Sequence, residues 1–188
     1  MLARFWTMLA VLIACQTAGA QVTLNVPSAS YPTIQSAINA AINALGVLTG
    51  QPLGELLRDR GARDALSRVY SEVIDTARAN GIEPERVNFN PFLLYTPHGA
   101  GWWMRWRKDL LARVVGFKYR KLRSSSLQSL ERGRKTEVDS LNGYVVKQAA
   151  KVGLRVPVNA RLVELIHEIE DGSRTLGPAN MADLLRVL

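Results

Sequence analysis

Four separate stretches of this chain repeat apolar residues at the spacing of a single helix face. Ile34, Ala37, Ile38, Ala41, Ile42 and Leu45 make the first, and Leu66, Val69, Tyr70, Val73, Ile74 and Ala77 the second. Val138, Leu141, Val145, Val146 and Ala149 make the third, and Leu162, Leu165, Ile166 and Ile169 the fourth. Residues three and four apart lie on one side of a helix, so each stretch can bury one face and wet the other. After Val22-Thr23-Leu24-Asn25-Val26 strand signals nearly vanish. The pattern therefore predicts an all-α domain, a bundle of amphipathic helices around one core. Gly81 is a stop signal for the second helix. Pro178 suits the start of a last short helix, where its missing N–H costs nothing. Residues 82–101 carry Pro84, Pro91, Pro97, Gly99 and Gly101 and read as a long loop.

At 188 residues the chain suits one domain with a short appendage. We place the helical domain at 29–188 and a segment of different character at 1–28. The lone cysteine, Cys15, excludes an internal disulfide and a multi-cysteine zinc site. His98 and His167 are too few and too scattered for a metal cluster, so no metal is expected. The net charge of +8 is concentrated. Residues 101–135 hold 11 Lys plus Arg against 2 Asp plus Glu, so this window carries +9 and the remainder −1. Such a stripe can meet phosphates, nucleic acid or an anionic membrane, or simply be a solvated helix face. No nucleic-acid-binding motif accompanies it, and no nucleic-acid partner is expected.

Ser124–Gly143 reads SSSLQSLERGRKTEVDSLNG: a serine run, a basic turn around Gly133, then Glu137 opening an apolar-periodic helix. This stretch resembles the signature of the C-terminal domain of ketopantoate reductases (2-dehydropantoate 2-reductases). Ser124, Ser125, Leu127, Gln128, Gly133, Arg134, Thr136, Glu137, Asp139, Asn142 and Gly143 match that pattern in order, with Ser126 in place of Met and Val138 in place of Ile. Val156-Pro157-Val158-Asn159 resembles the opening of the family's last long helix, with Val156 for Thr. The run Ala37–Leu45, with Asn39 and Asn43 four residues apart, resembles the family's first C-domain helix, and Pro52–Leu56 continues the match.

The resemblance implies a helical fold like the C-terminal domain of 6-phosphogluconate dehydrogenase. It implies an NADPH-dependent reductase of pantothenate biosynthesis acting on a small 2-keto acid. Asn39 and Asn43 would hydrogen-bond substrate oxygens, Ser125 would hold the substrate carboxylate, and Glu137 would act at the cleft against the cofactor ribose or substrate hydroxyl. Each position also has a plainer reading. The asparagines suit a polar surface, Ser125 suits a helix cap, and Glu137 beside Thr136 suits the first turn of a helix. Asn142-Gly143 inside a helix is costly and points to a packing or site role.

Two departures from the family stand out. Its Rossmann domain presents a Gly-rich turn to the NADPH pyrophosphate, yet this chain has no Gly-x-Gly-x-x-Gly. Gly99-Ala100-Gly101 runs into Trp102-Trp103 and does not qualify. In the family a lysine four residues before the first helix Asn supplies the proton to the nascent alkoxide, and here that position is Gln35. A neutral amide can donate a hydrogen bond but cannot release a proton near neutral pH. No change of register repairs this, since the first lysine of the chain is Lys108. The resemblance thus implies a truncated, cytoplasmic reductase-like protein that is inactive alone, with a nucleotide-binding domain in trans or a homodimer as possible partner.

Met1–Ala20 admits two readings. Arg4, the apolar run Phe5–Ala14 and the small residues Ala18-Gly19-Ala20 have the layout of a secretory leader. Leu12-Ile13-Ala14-Cys15 even resembles a lipobox. Alternatively Phe5–Thr17 and Val22–Val26 resemble the last helix and strand of the family's nucleotide domain. The leader reading carries a different function: an exported or lipid-anchored helical module using the basic-aromatic segment 102–122, where Trp102, Trp103 and Trp106 interleave with Arg105, Arg107 and Lys108, on anionic surfaces.

Overall fold

The structure, a computed structural model, describes residues 34–82, 101–118 and 120–188. Among these every regular element is helical, as the apolar spacing requires. The segments expected at 5–26 and at 83–100 lie outside the described residues.

Helix α1 (Ile34–Thr49) forms the centre of the bundle. From Ala40 onward it offers only Asn43 and Thr49 as polar residues, so it can be covered on all sides. Leu45, Val47 and Leu48 are wholly buried. Thr49 satisfies its hydroxyl on the Leu45 carbonyl at 2.8 Å. The chain leaves α1 through Gly50, whose φ of 68° favours glycine. A separate short helix, α2 (Leu53–Leu56), follows, so Pro52–Leu56 opens a new element and does not prolong the first.

Helix α3 (Arg60–Ala79) starts at Asp59, whose carboxylate accepts from Ala62 N at 2.7 Å. It ends in a Schellman arrangement at Gly81, with Ile82 N donating to Ala77 O at 2.9 Å. Helix α4 (Trp102–Lys118) spans the basic-aromatic segment. Helix α5 (Ser125–Glu131) begins the serine run. The third apolar stretch opens as a π turn over Asp139–Gly143, with Gly143 N donating to Val138 O, before becoming α6 (Tyr144–Lys151). Helix α7 (Pro157–Glu170) places Pro157 in its first position, as Pro requires. The last short helix, α8 (Asn180–Leu185), begins two residues after Pro178.

The faces of α3, α5, α7 and α8 close on α1 around Leu127, Leu162, Leu165, Ile166 and Leu184, all fully buried. The C-terminal segment also caps α1. Leu48 O accepts from Gly177 N at 3.2 Å and from Asn180 Nδ2 at 3.0 Å, meeting a carbonyl the helix leaves unpaired.

Helix α4 is attached differently. It crosses α2 where Gly54 faces Gly116 O and the Arg120 backbone, so closely that a Cβ at 54 would lie 2.3 Å from Arg120 Cα. Its charged tie is Arg63, whose side chain is 4% exposed. Arg63 Nε donates to Asp109 Oδ1 at 2.9 Å, while Nη1 donates to the carbonyls of Leu57 and Arg58. The hydrogen bond from Arg63 holds the Asp109 carboxyl below its ordinary range. Removing the guanidinium strands two carbonyls and a carboxylate. We expect Arg63→Ala to cost about 2–4 kcal/mol and to loosen α4 first. Hydrogen exchange would check this: amides of α4 should lose protection ahead of those of α1, and uniform loss would contradict it.

Candidate functional site

Asn43 is a polar residue on a helix that is otherwise buried at that level, with an exposure of only 7%. Its surroundings are supplied by the serine run. Ser124 Oγ lies 3.5 Å from Asn43 O, and Ser125 Oγ lies 3.5 Å from Asn43 Oδ1, at the long end of hydrogen-bond reach. Gly46 allows this approach, since a Cβ there would sit 2.6 Å from Ser124 Oγ. The helix cap is Ser124, accepting from Leu127 N at 3.2 Å, and not Ser125. Ser125 is thereby left in the first turn of α5, exposed to solvent, with its hydroxyl 3.5 Å from Asn43 Oδ1.

Asn39 lies one turn earlier on α1 and is half-buried. Gln35 lies one turn before that, in the first turn of α1. Glu137 is exposed. Its neighbours Thr136 and Val138 line one closed seam with Asn43, Ser126 and Asn142, so Glu137 stands at the margin of the same region. Thr136 Oγ1 accepts from Val138 N at 3.3 Å, and Thr136 N donates to Glu170, which fixes the backbone on either side of Glu137. Of the residues singled out from the sequence, the structure thus brings together Asn43 from α1 and Ser125 from α5, with the two neighbours of Glu137 lining a seam beside Asn43.

The structure adds a polar network that the sequence flagged only through Asn142-Gly143. Asn142 Nδ2 donates to Asn159 Oδ1 at 2.9 Å, with both residues fully buried. Asn159 Nδ2 donates in turn to Glu72 Oε2 at 2.7 Å and to Val69 O at 3.2 Å. Glu72, on α3, also accepts from Val158 N and Asn159 N, the free donors at the start of α7. This network ties α3 and α7 to the turn that carries the Glu137 segment. Asn142 therefore has a packing role. Gly143 is not demanded by space, because a Cβ there would make only ordinary contacts. His167 Nε2 pairs with Asp139 Oδ1 at 3.0 Å on the surface. Among the described residues no group of His, Cys, Asp and Glu could hold a metal.

Burial pushes the Glu72 carboxyl above its ordinary value near 4.5, and hydrogen bonds from Asn159 and Val158 oppose that shift. A raised folded value means the folded state holds the proton more tightly. Stability from this group is therefore fullest below the unfolded value and is lost as pH rises through the folded one. Relative to Glu72→Gln, the unsubstituted chain should gain stability as pH falls from about 7 to about 4. Urea titrations of both proteins at each pH check this; a relative loss on acidification would contradict it.

The described residues do not fit a dinucleotide pyrophosphate. That group needs backbone N–H groups from a Gly-rich turn between a strand and a helix. The glycines with positive φ among the described residues, Gly50, Gly81, Gly133, Gly153 and Gly172, instead lie in helix ends and turns of an all-helical fold.

Comparison with known proteins extends the motif match. The family model for the C-terminal domain of ketopantoate reductase, PanE/ApbA, matches residues 34–170. The 2-dehydropantoate 2-reductase of Pyrobaculum aerophilum is 30% identical over 148 residues, covering 79% of this chain and 46% of that protein. A ketoisovalerate reductase of Beauveria bassiana is 32% identical over 156 residues, covering 70% of this chain and 34% of that one. The crystal structure of a PanE/ApbA family ketopantoate reductase from Ralstonia eutropha JMP134 superposes with a TM-score of 0.56 at 29% identity. That superposition covers 73% of this chain and 40% of the other. The chain thus spans less than half the length of the relatives it matches.

Proposed function

Because the chain belongs to the ketopantoate reductase family, through its C-terminal helical domain, we propose that it forms the substrate side of a 2-keto acid reductase and does not turn over alone. The observation that carries this reading is the meeting of Asn43 and Ser125 from two distant segments, with Glu137 at the margin of the same seam. An amide and a hydroxyl offer donors to a carboxylate or keto oxygen, and an exposed carboxylate can accept from a hydroxyl. Asn39, one turn away on α1, would extend the donor set. The expected ligand is a small 2-keto acid such as ketopantoate or ketoisovalerate, the substrates in the names of the relatives.

The reaction of the family needs NADPH as hydride donor. The residues of this chain would bind and orient the keto acid, while a nucleotide-binding domain in the same polypeptide, in trans or within a homodimer would hold the cofactor. Reduction of a carbonyl also needs a proton at its oxygen. Gln35 cannot release one, and the arginines nearest in sequence, Arg58, Arg60 and Arg63, keep theirs. Arg63 is in any case buried in structural contacts. With no Gly-rich turn to hold the pyrophosphate, the 188-residue chain alone should bind NADPH only weakly, at roughly millimolar Kd or above. Fluorescence titration of NADPH against the purified chain tests this, and micromolar binding would contradict the proposal.

A further inference from the structure

Helix α4 leaves one of its faces without a partner among the described residues. Trp103, Trp106, Leu110, Val114 and Phe117 are all exposed, Phe117 by 74% and Trp103 by 57%. At about 100° per residue these five fall within an arc of about 80°. Asp109 and Gly116, which dock α4 on α3 and α2, lie roughly 100–120° from its centre. The stripe thus lies to one side of the docked face and is left uncovered by the described residues. Trp103 stacks on Trp106 at 5.2 Å and meets Trp102 edge-on at 5.6 Å, so the indoles form one continuous apolar ledge.

The charge around this ledge selects what can cover it. The window 101–135 carries +9. Arg113 lies at one edge of the stripe and Lys118 at the other, and Arg120 sits 5.6 Å over the Phe117 ring. Lys121 and Arg123 follow immediately and line an open recess with Arg132 and Glu131, where Glu131 pairs with Arg123 and leaves the recess a net positive charge. Asp109, the one acid of α4, is taken up by Arg63. A second copy of this surface would bring like charges together, which opposes self-association. An anionic, partly apolar surface complements both features. Indole rings favour the boundary between headgroups and acyl chains, and Lys and Arg beside them attract acidic lipids. Among the described residues no helix is long and apolar enough to cross a membrane, so α4 would lie on the surface and not span it.

We propose that α4 is an interfacial helix that seats its Trp103–Phe117 stripe on an anionic lipid bilayer. The test uses the full chain with vesicles of phosphatidylcholine alone and of phosphatidylcholine mixed with phosphatidylglycerol. Co-sedimentation should occur with the mixed vesicles only, weaken with added salt, and shift the Trp emission to the blue. The triple variant Trp103→Ala, Trp106→Ala, Phe117→Ala should lose binding by roughly tenfold or more. These side chains are exposed, so circular dichroism should be unchanged. If the triple variant fails to fold, Arg113→Glu with Lys121→Glu, two exposed positions, should give a similar loss. No binding, equal binding to neutral vesicles, or binding that survives both variants would overturn the proposal. A dimer that the triple variant converts to monomer would overturn it in favour of self-association.

Discussion

Fused to a functional nucleotide-binding domain, the Gln35→Lys variant of this chain is expected to reduce ketopantoate about 10²–10⁴-fold faster than the unsubstituted chain in the same fusion. The magnitude is that of a general acid supplied at the right place. Gln35 lies two turns before Asn43 on one continuous helix, with Asn39 between them, so the three positions follow one side of α1. A lysine introduced there would extend the same polar line. The gain should appear in kcat more than in KM, because the proton is needed in the transition state and not for binding. Steady-state NADPH oxidation by the paired fusions measures it. Glu137→Gln added to the Gln35→Lys variant should lower the restored rate, whereas Trp103→Ala should leave it nearly unchanged. No gain from Gln35→Lys, in a fusion shown to bind both ligands, would remove Asn39 and Asn43 from the proposed site.

The second large effect concerns stability. Asn159→Ala should destabilise the domain by about 3–4 kcal/mol, because it deletes the hub of a buried polar network. Asn142 Nδ2 would lose its acceptor, and Glu72 Oε2 and Val69 O would each lose a donor. At this chain length a change of that size lowers Tm by roughly 10 °C. Urea denaturation of the two proteins checks the value. A loss below about 1 kcal/mol would mean that water or side-chain rearrangement replaces those partners.

Much of the helical architecture could be read from periodicity alone, since a buried stripe needs no partner to be visible. The faces of α1, α3 and α7 bury Leu45, Val69, Val73, Leu162 and Ile166 as their spacing requires. Breaks in that periodicity were less legible. Leu141 and Val145 keep helical spacing, and nothing in that pattern distinguishes the π turn at Asp139–Gly143 from an ordinary first turn. The turn carries a tertiary contact that periodicity does not reveal, the buried amide of Asn142 bonded to Asn159 seventeen residues away. Ser124 and Ser125 likewise look interchangeable in sequence. Only the approach of α5 to Gly46 decides that the first caps the helix and the second faces Asn43. Glu72 carries no signal in the sequence, because an acid on an amphipathic helix usually points to water. Its role depends on the unpaired N–H groups of a helix that arrives 86 residues later.

The most direct measurement is an amide NMR titration of the isotope-labelled chain with ketopantoate at millimolar concentration. A substrate-side domain predicts saturable shifts clustered at Asn39, Asn43, Ser125 and the Thr136–Val138 backbone, with the amides of α8 unmoved. Shifts scattered over the surface, or none at concentrations where a fused nucleotide domain supports turnover, would contradict the assignment.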